Sequence, residues 1–537
     1  MEADLLLVNG QVVTVDDQES VHQAVAVLGG RILAVGPTDR LMELRGPGTR
    51  VLDVQGRAGR PGLIDAHAHV AHYGRYHLGL DLRYPAVKSI ADIQAKVREA
   101  ATATPPGQWI EGRAYNQNKL EEGRHPTRWD LDAAAPEHPV ALTRVCGHIS
   151  VVNSRALALV GLHDESPDPP GGRLGRGPDG RLNGVLYEAA QRPVRAATLP
   201  SPEKLRRAIL EGAKGFLSYG ITTVHDAGGQ AAAQFRVLRE VRGQELKLRD
   251  YNFVIDFNNP VAFMEHFAAA GITTGFGDQW VRVGPFKLVS DGSTSGPTAA
   301  TREPYDSNPH DCGILYYEQE ELDEHYLTAH RGGLQLTAHA VGDRAIEMVV
   351  TAMERAFARQ PRPDPRPRME HCALLDPGLI ARIRRLGLVP AAQPVFFHEF
   401  GDGYLRDYGK RTRFMFPCRT LLEQGVPVAA SSDCPVTTCD PFLGMYEAMT
   451  RATSGGQTVY AEETVTLPQA IRMYTRNGAY AAFEEGVKGS LEPGKLADLA
   501  VLSGPILGLP AEEVRHLRAD MTIVGGEVVF DRGAIAG

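Results

Sequence analysis

The middle of the chain alternates short apolar runs with longer helix-forming segments, and each apolar run ends in polar or charged residues. This alternation is typical of repeated strand–helix units, which assemble a parallel sheet. When such a sheet closes into a barrel, the carboxyl ends of its strands carry the chemistry. The sequence therefore predicts an α/β fold built around a TIM-like (β/α)8 barrel. The clearest strand-like runs are residues 220–225, 280–289, 334–339, 368–372 and 426–431.

The two ends of the chain have a different pattern, of short strands separated by tight turns. Dipeptides of Asn or Gly followed by Gly favour two-residue hairpins because they accommodate positive φ. We therefore expect residues 1–60 and 485–537 to form one composite β-sandwich from both termini; two independent β caps are the alternative. The hairpin dipeptides are Asn9-Gly10, Gly29-Gly30 and Gly525-Gly526.

The region between these ends, residues 61–484, is much longer than the ~250 residues of a bare barrel. Part of it must therefore be inserted between barrel elements. Residues 76–200 are the best candidate because they combine strand-like pieces with stretches rich in proline and glycine, such as 167–172. We expect this segment to form an inserted α+β cap domain.

The composition limits the partners of this protein. Its 57 Lys and Arg residues are outnumbered by 65 Asp and Glu residues, which gives a net charge of −8, whereas nucleic-acid binding requires a basic surface. No segment reaches the ~18 consecutive apolar residues of a membrane span. The six cysteines include no Cys-x-x-Cys pair. These features favour a cytoplasmic protein with reduced thiols that acts on a small molecule, without nucleic-acid or membrane partners.

The segment around His67 and His69 has the residue types needed for metal binding. Side chains two positions apart on a strand point the same way, so Asp65, His67 and His69 share one face. Two neutral imidazoles aimed into a barrel mouth can hold one divalent cation; an exposed strand face without a metal is the alternative. His72 and His77 come just after this strand, and we expect them in a loop.

Four further residues end or follow strand-like runs: Lys287, His339, His371 and Asp433. Lys287 lies among apolar residues, and burial lowers the pKa of a lysine. A neutral amine can react with carbon dioxide to give a carbamate, an anionic oxygen ligand able to bridge two metals. An ion pair between Lys287 and Asp291 is the alternative. Each of the other three could be a barrel-mouth residue without a metal, but together they add metal-ligand types to the same end of the barrel.

The resulting order His-x-His, Lys, His, His, Asp on successive strand ends resembles the amidohydrolase superfamily of metal-dependent hydrolases. The surrounding segments resemble one subgroup, which includes the N-substituted formamide deformylases. The resemblance runs nearly from end to end. The matching segments are PGLIDAHAH (61–69), QWIEGRAYNQN (108–118), HPTRWDLD (125–132), RVCGHISVVNSRAL (144–157), YGITTVHDAG (219–228), KLVSDGSTSG (287–296), LTAHAVGDRAIE (336–347), RMEHCALL (368–375), SSDCPV (431–436) and LEPGKLADLAVL (491–502).

The resemblance implies a metal-binding role for the matching residues. His67 and His69 would bind the more buried metal, and His339 and His371 the more exposed one. Lys287, as its carbamate, would bridge the two. Two Zn²⁺ ions are the expected cofactors, and the same ligands also admit Fe²⁺, Mn²⁺ or Co²⁺. If Lys287 stays a free amine, the site holds a single metal.

The resemblance also implies that Asp433 contacts the first metal and the attacking hydroxide. A pair of Zn²⁺ ions lowers the pKa of a bridging water and supplies hydroxide near pH 7. Asp433 would take the proton as general base and later deliver it to the leaving nitrogen, while the second metal polarises the scissile carbonyl. A homodimer is a further implication of the resemblance.

Substrate contacts are expected from three residues of the insertion, namely His148, Asn153 and Trp109; ordinary packing within the insertion is the alternative. The pattern predicts a metal-dependent hydrolase of a C–N bond, with a neutral amide as substrate and an N-substituted formamide as one specific case. The same site could act on an ester, lactone or cyclic imide. A non-catalytic scaffold that binds a partner through the insertion and a metal-dependent lyase or isomerase are the remaining alternatives.

Overall fold

The computed structural model describes residues 2–229, 231–257 and 259–535. Its centre is an eight-stranded sheet whose hydrogen-bonded pairs are all parallel and whose strands follow one another in chain order. The first and last strands, Leu63–Ala68 and Ala429–Ala430, approach each other, so the sheet is nearly closed. The predicted α/β fold with a TIM-like barrel sheet is confirmed.

The strands of the described residues are named here in chain order. They are β1 (Leu5–Val8), β2 (Gln11–Val13), β3 (Val21–His22), β4 (Ala24–Leu28), β5 (Arg31–Gly36), β6 (Arg50–Asp53), β7 (Ala58–Pro61), β8 (Leu63–Ala68), β9 (Leu80–Asp81), β10 (Ile110–Tyr115), β11 (Val140–Arg144), β12 (Ile149–Val152), β13 (Gly172–Arg176), β14 (Leu182–Glu188), β15 (Ile221–Asp226), β16 (Arg249–Val254), β17 (Val281–Val289), β18 (Leu336–Ala340), β19 (Arg368–His371), β20 (Val389–Ala392), β21 (Ala429–Ala430), β22 (Leu499–Leu502), β23 (Ala519–Val524) and β24 (Glu527–Asp531).

The α-helices of the described residues are named in the same way. They are α1 (Thr38–Met42), α2 (Val70–Tyr76), α3 (Ile90–Ala103), α4 (Arg128–Asp132), α5 (Ser154–Leu159), α6 (Arg192–Ala197), α7 (Pro202–Ser218), α8 (Ala231–Val241), α9 (Pro260–Ala269), α10 (Gln319–Arg331), α11 (Asp343–Arg359), α12 (Pro377–Leu386), α13 (Phe396–Tyr408), α14 (Cys418–Glu423), α15 (Pro441–Thr450), α16 (Leu467–Met473), α17 (Arg476–Ala481) and α18 (Ala511–Val514).

The barrel strands are buried on both faces, which explains their continuous apolar character. All residues of β8, β15, β16 and β18 are buried, because one face fills the barrel interior and the other lies under helices. The covering helices are amphipathic: α11, for example, buries Ile346, Val349, Val350 and Met353 at helical spacing. The polar residues that end these strands are thereby brought to one end of the barrel.

Strands from both ends of the chain share one six-stranded sheet, in the order β24-β23-β22-β7-β2-β3. A four-stranded sheet, β5-β4-β1-β6, lies beside it, and one buried cluster joins the two through side chains such as Leu7, Leu52, Leu499 and Met521. The hairpins at Gly29-Gly30 and Gly525-Gly526 form as predicted.

The hairpin predicted at Asn9-Gly10 is wrong. β1 pairs with β4 and β6, whereas β2 pairs with β3 and β7, so the two strands flanking the dipeptide belong to different sheets. Asn9 adopts a φ of 57°, and the turn carries the chain from one sheet to the other. The dipeptide predicted the turn but could not report which strands pair across it.

The predicted insertion contributes a six-stranded sheet of its own, β13-β14-β12-β11-β10-β9. Every strand of this sheet lies between barrel strands β8 and β15 in the chain, and a separate buried cluster that includes Ile93, Leu142 and Val151 packs on it. His72, expected in a loop before this segment, lies instead in helix α2. The domain boundaries themselves stay a prediction. No helix among the described residues combines the length and the apolar character that a membrane crossing requires.

Candidate active site

Three of the expected metal ligands meet at the carboxyl end of the barrel. His67 lies on β8, His69 directly follows it, and Asp433 follows β21. The Nε2 atoms of His67 and His69 lie 3.4 and 3.3 Å from Oδ1 of Asp433, and one ligand atom from each residue lies within 4.8 Å of the others. Two imidazole nitrogens and a carboxylate oxygen at this spacing fit a zinc-type divalent cation.

The remaining expected ligands surround this group. Nζ of Lys287, on β17, lies 3.3 Å from Nε2 of His67. The ring of His371, at the end of β19, has its centroid 4.9 Å from that of His67 and 4.5 Å from that of His339. The parallel register aligns β18 with β19, pairing His339 with Glu370. All six side chains therefore line one cavity.

Hydrogen bonds behind the ligands fix the orientation of two imidazoles. Nδ1 of His67 lies 2.5 Å from Oε2 of Glu370, and Nδ1 of His371 lies 2.8 Å from Oε1 of Gln393. Since Glu370 and Gln393 accept through these oxygens, each ring carries its proton on Nδ1 and presents the lone pair of Nε2 to the cavity. Gln393 is itself oriented because its Nε2 donates to Ser431.

The other two histidines are oriented by backbone carbonyl groups. Nδ1 of His69 lies 3.2 Å from the carbonyl oxygen of Gly228, whereas Nε2 of His339 lies 2.8 Å from that of Gly292. A carbonyl oxygen only accepts, so the proton of His339 is on Nε2 and its free lone pair is on Nδ1. Each of the four histidines thus presents one unprotonated nitrogen for a metal.

Burial sets the protonation of these ligands. It lowers the pKa of His67 and of His339 well below the usual histidine value, and the pKa of His371 to about 4, so all three are neutral near pH 7. Burial also lowers the pKa of Lys287 to about 8, against the opposing charges of Glu370 and Asp433. About one tenth of the Lys287 amine is therefore uncharged at pH 7, far more than for an exposed lysine.

Asp433 remains ionised. Burial alone would raise its pKa, but the contact with the His69 imidazole and the neighbouring rings of His67 and His371 outweigh it, so the pKa of Asp433 lies below its usual value. Asp433 also has a φ of 54°, and His371 a φ of 70°, in the left-handed region that non-glycine residues rarely adopt. Such backbone strain, about 1–3 kcal/mol each, concentrates at functional sites.

Asp65, expected on the same strand face as His67 and His69, supports the site from behind. Its carboxylate accepts hydrogen bonds from the hydroxyl and the backbone N–H of Ser432 and from the backbone N–H of His67. Burial raises the pKa of Asp65 to about 7. Asp65 thus ties β8 to the loop that carries Asp433.

Lys287 and Asp291, the alternative ion pair, do not contact each other in the structure. The carboxylate of Asp291 accepts from the backbone N–H groups of Ala300, Val341 and Gly342 at 2.9–3.1 Å. Among the described residues no carboxylate oxygen lies within 4.0 Å of the Lys287 amine. The amine is directed at the histidine ligands instead.

The insertion brings His148 over the site. Its ring centroid lies 4.9 Å from that of His339, and its Nδ1 lies 2.6 Å from Oε2 of Glu188. Glu188 is buried, has a φ of 53°, and also accepts hydrogen bonds from the hydroxyls of Thr298 and Tyr316. The Glu188 carboxylate therefore holds His148 in one orientation beside the metal ligands.

Comparison with known proteins establishes the family of this chain. The sequence model described as the amidohydrolase family matches residues 50–530. The chain belongs to the amidohydrolase family. The predicted membership is confirmed, and with it the assignment of the chain as an enzyme.

Relatives of this amidohydrolase-family chain match it over nearly its whole length. It is 30% identical over 549 residues to an N-substituted formamide deformylase from Arthrobacter pascens, covering 98% of each chain. An uncharacterized metal-dependent hydrolase from Pyrococcus horikoshii OT3 has the same fold, with a TM-score of 0.76 and 24% identity. The match covers 95% of this chain and 99% of that one. A second uncharacterized metal-dependent hydrolase, from Pyrococcus furiosus, has a TM-score of 0.72 and 25% identity, and the match covers 93% of this chain and 98% of that one.

Two residues expected to contact substrate lie away from the cavity of this amidohydrolase-family chain. Asn153 is buried at the start of α5, where its oxygen accepts from the backbone N–H groups of Val140 and Ala156 and its amide donates to backbone carbonyls. Trp109 packs against a buried cluster within the insertion. Both correspond to the packing alternative, because their side chains are used inside the insertion.

Sequence reasoning missed two carboxylates that orient histidines in this site, Glu370 and Glu188. Glu370 stands next to His371 in the segment RMEH, so its position on a barrel strand was a usable signal. Glu188 ends β14 in the insertion, and nothing in the local sequence relates it to His148. Only the fold brings these two residues together.

Proposed function

We propose that this chain hydrolyses the C–N bond of an amide, with an N-substituted formamide as the specific case to test first. The observation that carries the proposal is the convergence of four oriented histidines, a buried lysine and an ionised aspartate in one cavity. The named activity of the Arthrobacter pascens relative supports the choice of substrate.

The donor set fits one or two divalent metal ions, for which zinc is the proposed identity. His67, His69 and Asp433 would hold the first ion, and His339 and His371 the second. When bound, such ions supply positive charge that lowers the pKa of water and polarises the scissile carbonyl.

Lys287 is proposed to act as a carbamate ligand shared by the two ion positions. Its uncharged amine forms an N–C bond to carbon dioxide and releases one proton, which leaves an anionic carboxylate at the end of the side chain. The pKa of about 8 and the 3.3 Å approach of Nζ to His67 support this role. A Lys287 that stays a free amine corresponds to the single-metal alternative.

Asp433 is proposed as the general base and acid. Its ionised carboxylate accepts a proton from the attacking water while the water oxygen bonds to the carbonyl carbon. As the C–N bond breaks, the same carboxylate returns the proton to the leaving nitrogen. The contacts of Asp433 with His67 and His69 hold the carboxylate at the centre of the site.

His148 is proposed to bind the substrate carbonyl. Because Glu188 accepts from Nδ1, the opposite nitrogen of His148 is the one available to the cavity. In the imidazolium form of His148, whose charge Glu188 would balance, that nitrogen carries a proton that would donate to the carbonyl oxygen and stabilise the negative charge that develops there. This assignment keeps the predicted substrate-binding role of His148.

The division of the chain into domains is also proposed. We propose that residues 1–60 and 485–537 form a composite β-sandwich and that residues 76–200 cap a barrel formed by residues 61–484. The placement of His148 above His339 supports the capping role of the insertion. A homodimer and a cytoplasmic location remain parts of the proposal that solution and localisation measurements would address.

The proposal is tested by a parallel screen of formamides, larger amides, esters and cyclic imides with the zinc-loaded protein. The variant Asp433→Asn should reduce the turnover number for the best amide by about 10²–10⁴-fold. A matched control is Asp179→Asn, since Asp179 is exposed and pairs with Arg181, and it should leave turnover unchanged. Full activity in Asp433→Asn would show that Asp433 is not the general base and acid. Turnover of esters or imides without turnover of amides would contradict the proposed amide substrate.

A further inference from the structure

Five arginine side chains in the described part of the chain are almost completely buried. A buried guanidinium is costly unless its N–H groups find acceptors and its charge finds a counter-charge. Four of the five have an acceptor for Nε and for both Nη atoms, and Arg60 is the exception. The five are Arg60, Arg144, Arg249, Arg368 and Arg451.

Arg60 lies where the six-stranded sheet of the chain ends meets the barrel. It is on β7, where it pairs with Ala500 of β22, and its side chain reaches Met445 on α15, the helix that follows the last barrel strand. Nη1 of Arg60 lies 4.0 Å from Sδ of Met445, which is a weak acceptor. Nε and Nη2 are buried and have no hydrogen-bond partner among the described residues. Two of the three guanidinium nitrogens therefore lack an acceptor.

The charge of Arg60 has no counter-charge in the described part of the chain. Burial lowers the pKa of Arg60 to about 9, and no charged neighbour contributes to this shift. The guanidinium is therefore still protonated near pH 7, and it forms no ion pair with a described residue. By contrast, Arg249 and Arg368 each have a buried carboxylate beside them. An anion at Arg60 would remove this imbalance.

The two unpartnered nitrogens form the edge that binds anionic groups elsewhere in this chain. Arg249 uses Nε and Nη2 to hold the two carboxylate oxygens of Asp498, at 2.7 and 2.8 Å. Arg368 uses the same two atoms on Glu370, at 3.0 and 3.2 Å. Nε and Nη2 direct parallel N–H groups to one side of a guanidinium, which is the geometry of bidentate anion recognition. Arg60 presents this same edge without a partner among the described residues.

The surroundings of Arg60 favour a small anion of single charge. The elements packed there contribute apolar residues to the main buried cluster, among them Ala58, Met445 and Ala500. One guanidinium supplies one positive charge, so a monovalent anion is balanced, whereas a divalent anion such as sulfate would leave a buried excess charge. The unbranched thioether of Met445 can change rotamer and admit a small ion. Chloride meets these requirements.

We propose that Arg60 binds a chloride ion at the junction between the six-stranded sheet and α15. The ion accepts hydrogen bonds from Nε and Nη2 and neutralises the buried charge, so it stabilises the contact between the sheet of the chain ends and the barrel. Arg60 is not among the described residues that line the active-site cavity. The site is therefore structural and independent of the proposed amide hydrolysis.

The first test is thermal unfolding in sodium chloride and in sodium gluconate at equal concentration, because gluconate is too large for a buried site. The measured quantity is the difference in unfolding temperature between the two salts. An ion that binds only the folded state stabilises it by mass action. In the wild type this difference should favour chloride by about 2 °C more than in Arg60→Met, and it should saturate as the chloride concentration rises.

Arg60→Met replaces the guanidinium by an apolar side chain of similar length, so it also removes the need for a counter-ion. In gluconate the variant should be at least as stable as the wild type, because replacing a buried charge by an apolar group is often neutral or stabilising. The matched control is Arg50→Met, since Arg50 is exposed on β6, and it should keep the full chloride response. An equal chloride response in the wild type and in Arg60→Met would overturn the proposal.

The second test locates the ion without any variant, and it decides the question if Arg60→Met does not fold. Wild-type crystals are grown in sodium bromide, and bromide is identified by its anomalous scattering. An anomalous peak in contact with Nε and Nη2 of Arg60 is the expected result. A water molecule at these atoms, no density beside them, or bromide confined to the surface as an adventitious ion only would overturn the proposal.

Discussion

The carboxylate of Glu370 accepts a hydrogen bond from Nδ1 of His67 at 2.5 Å, deep in the barrel behind the proposed metal ligands. The same carboxylate accepts from Nε of Arg368 at 3.0 Å and from the hydroxyl of Thr337 at 2.8 Å. Glu370 is fully buried, so its charge is balanced locally by Arg368. The barrel interior thus holds His67 with its Nε2 directed at Asp433.

Replacement of Glu370 should weaken metal binding without removing any ligand. Glu370→Gln leaves His67 with a poorer acceptor, and loss of such a partner typically lowers metal affinity by about 10–100-fold. Zinc affinity is measured by competition with a chelator of known affinity. Glu347 is partly exposed and pairs with Arg302, so the control Glu347→Gln should leave the affinity unchanged. Wild-type affinity in a folded Glu370→Gln protein would contradict the orienting role.

Glu188 and His148 should behave as one unit in catalysis. Glu188→Gln removes the charge that holds His148, so its effect on turnover should be largely contained within that of His148→Ala. The double variant should then lose little more activity than His148→Ala alone, because residues that act together are non-additive. The test is a double-mutant cycle that compares the turnover of the best amide by the wild type, the two single variants and the double variant. Additive losses would show that the two side chains act independently.

The barrel and the sheet at the chain ends are joined by a buried ion pair whose loss should be costly. Nε and Nη2 of Arg249, on β16, lie 2.7 and 2.8 Å from the two carboxylate oxygens of Asp498, and both side chains are buried. Asp498→Ala leaves the Arg249 charge unpaired, so the free energy of unfolding should fall by about 3–5 kcal/mol.

The reference for this ion pair is the surface pair between the partly exposed Arg206 and the exposed Glu245. Glu245→Ala should change the free energy of unfolding by less than about 1 kcal/mol. Denaturant unfolding of both variants gives the comparison. An effect of Asp498→Ala as small as that of Glu245→Ala would mean that the contact does not stabilise the junction.

Stability should depend on pH through His398. Its Nδ1 lies 3.1 Å from Oε1 of Glu447, and this hydrogen bond raises the pKa of His398 above its usual value of 6.5, against burial. A raised pKa in the folded state means that the stabilisation is fully present below the unfolded value of 6.5 and is lost as pH rises through the folded value. The difference in unfolding temperature between the wild type and His398→Gln should therefore be larger at about pH 6 than at about pH 8.5. A difference that grows with pH would have the wrong sign.

The sequence predicted the barrel and the placement of its chemistry well, for a physical reason. His67, Lys287, His339 and His371 each lie on an apolar strand-like run, and parallel strands bring such positions to one end of a barrel. The strand pattern placed Asp433 after another such run, and the family resemblance implied that it contacts the metal held by His67 and His69; in the structure its Oδ1 lies 3.3 Å from Nε2 of His69.

What the sequence could not predict depends on contacts between distant segments. The pairing of β1 and β2 with different sheets is decided by long-range partners and not by Asn9-Gly10. Asn153 was expected to contact the substrate because it lies in the insertion, but its side chain caps α5. The contact of Glu188 with His148 joins the end of β14 to the residue just before its neighbouring strand β12. The two residues are distant in the sequence, so no local pattern reveals the contact.

The central claim, that six residues at the carboxyl end of the barrel form a metal centre, is tested most directly by the metal content per chain. Elemental mass spectrometry is applied to protein purified without chelator or added metal, with and without later addition of zinc and bicarbonate. About two zinc ions per chain are expected for the carbamate form of Lys287, falling in Lys287→Met. A single ion that persists in Lys287→Met would contradict the bridging role of Lys287. No bound metal, with none taken up on addition of zinc and bicarbonate, would contradict the account as a whole.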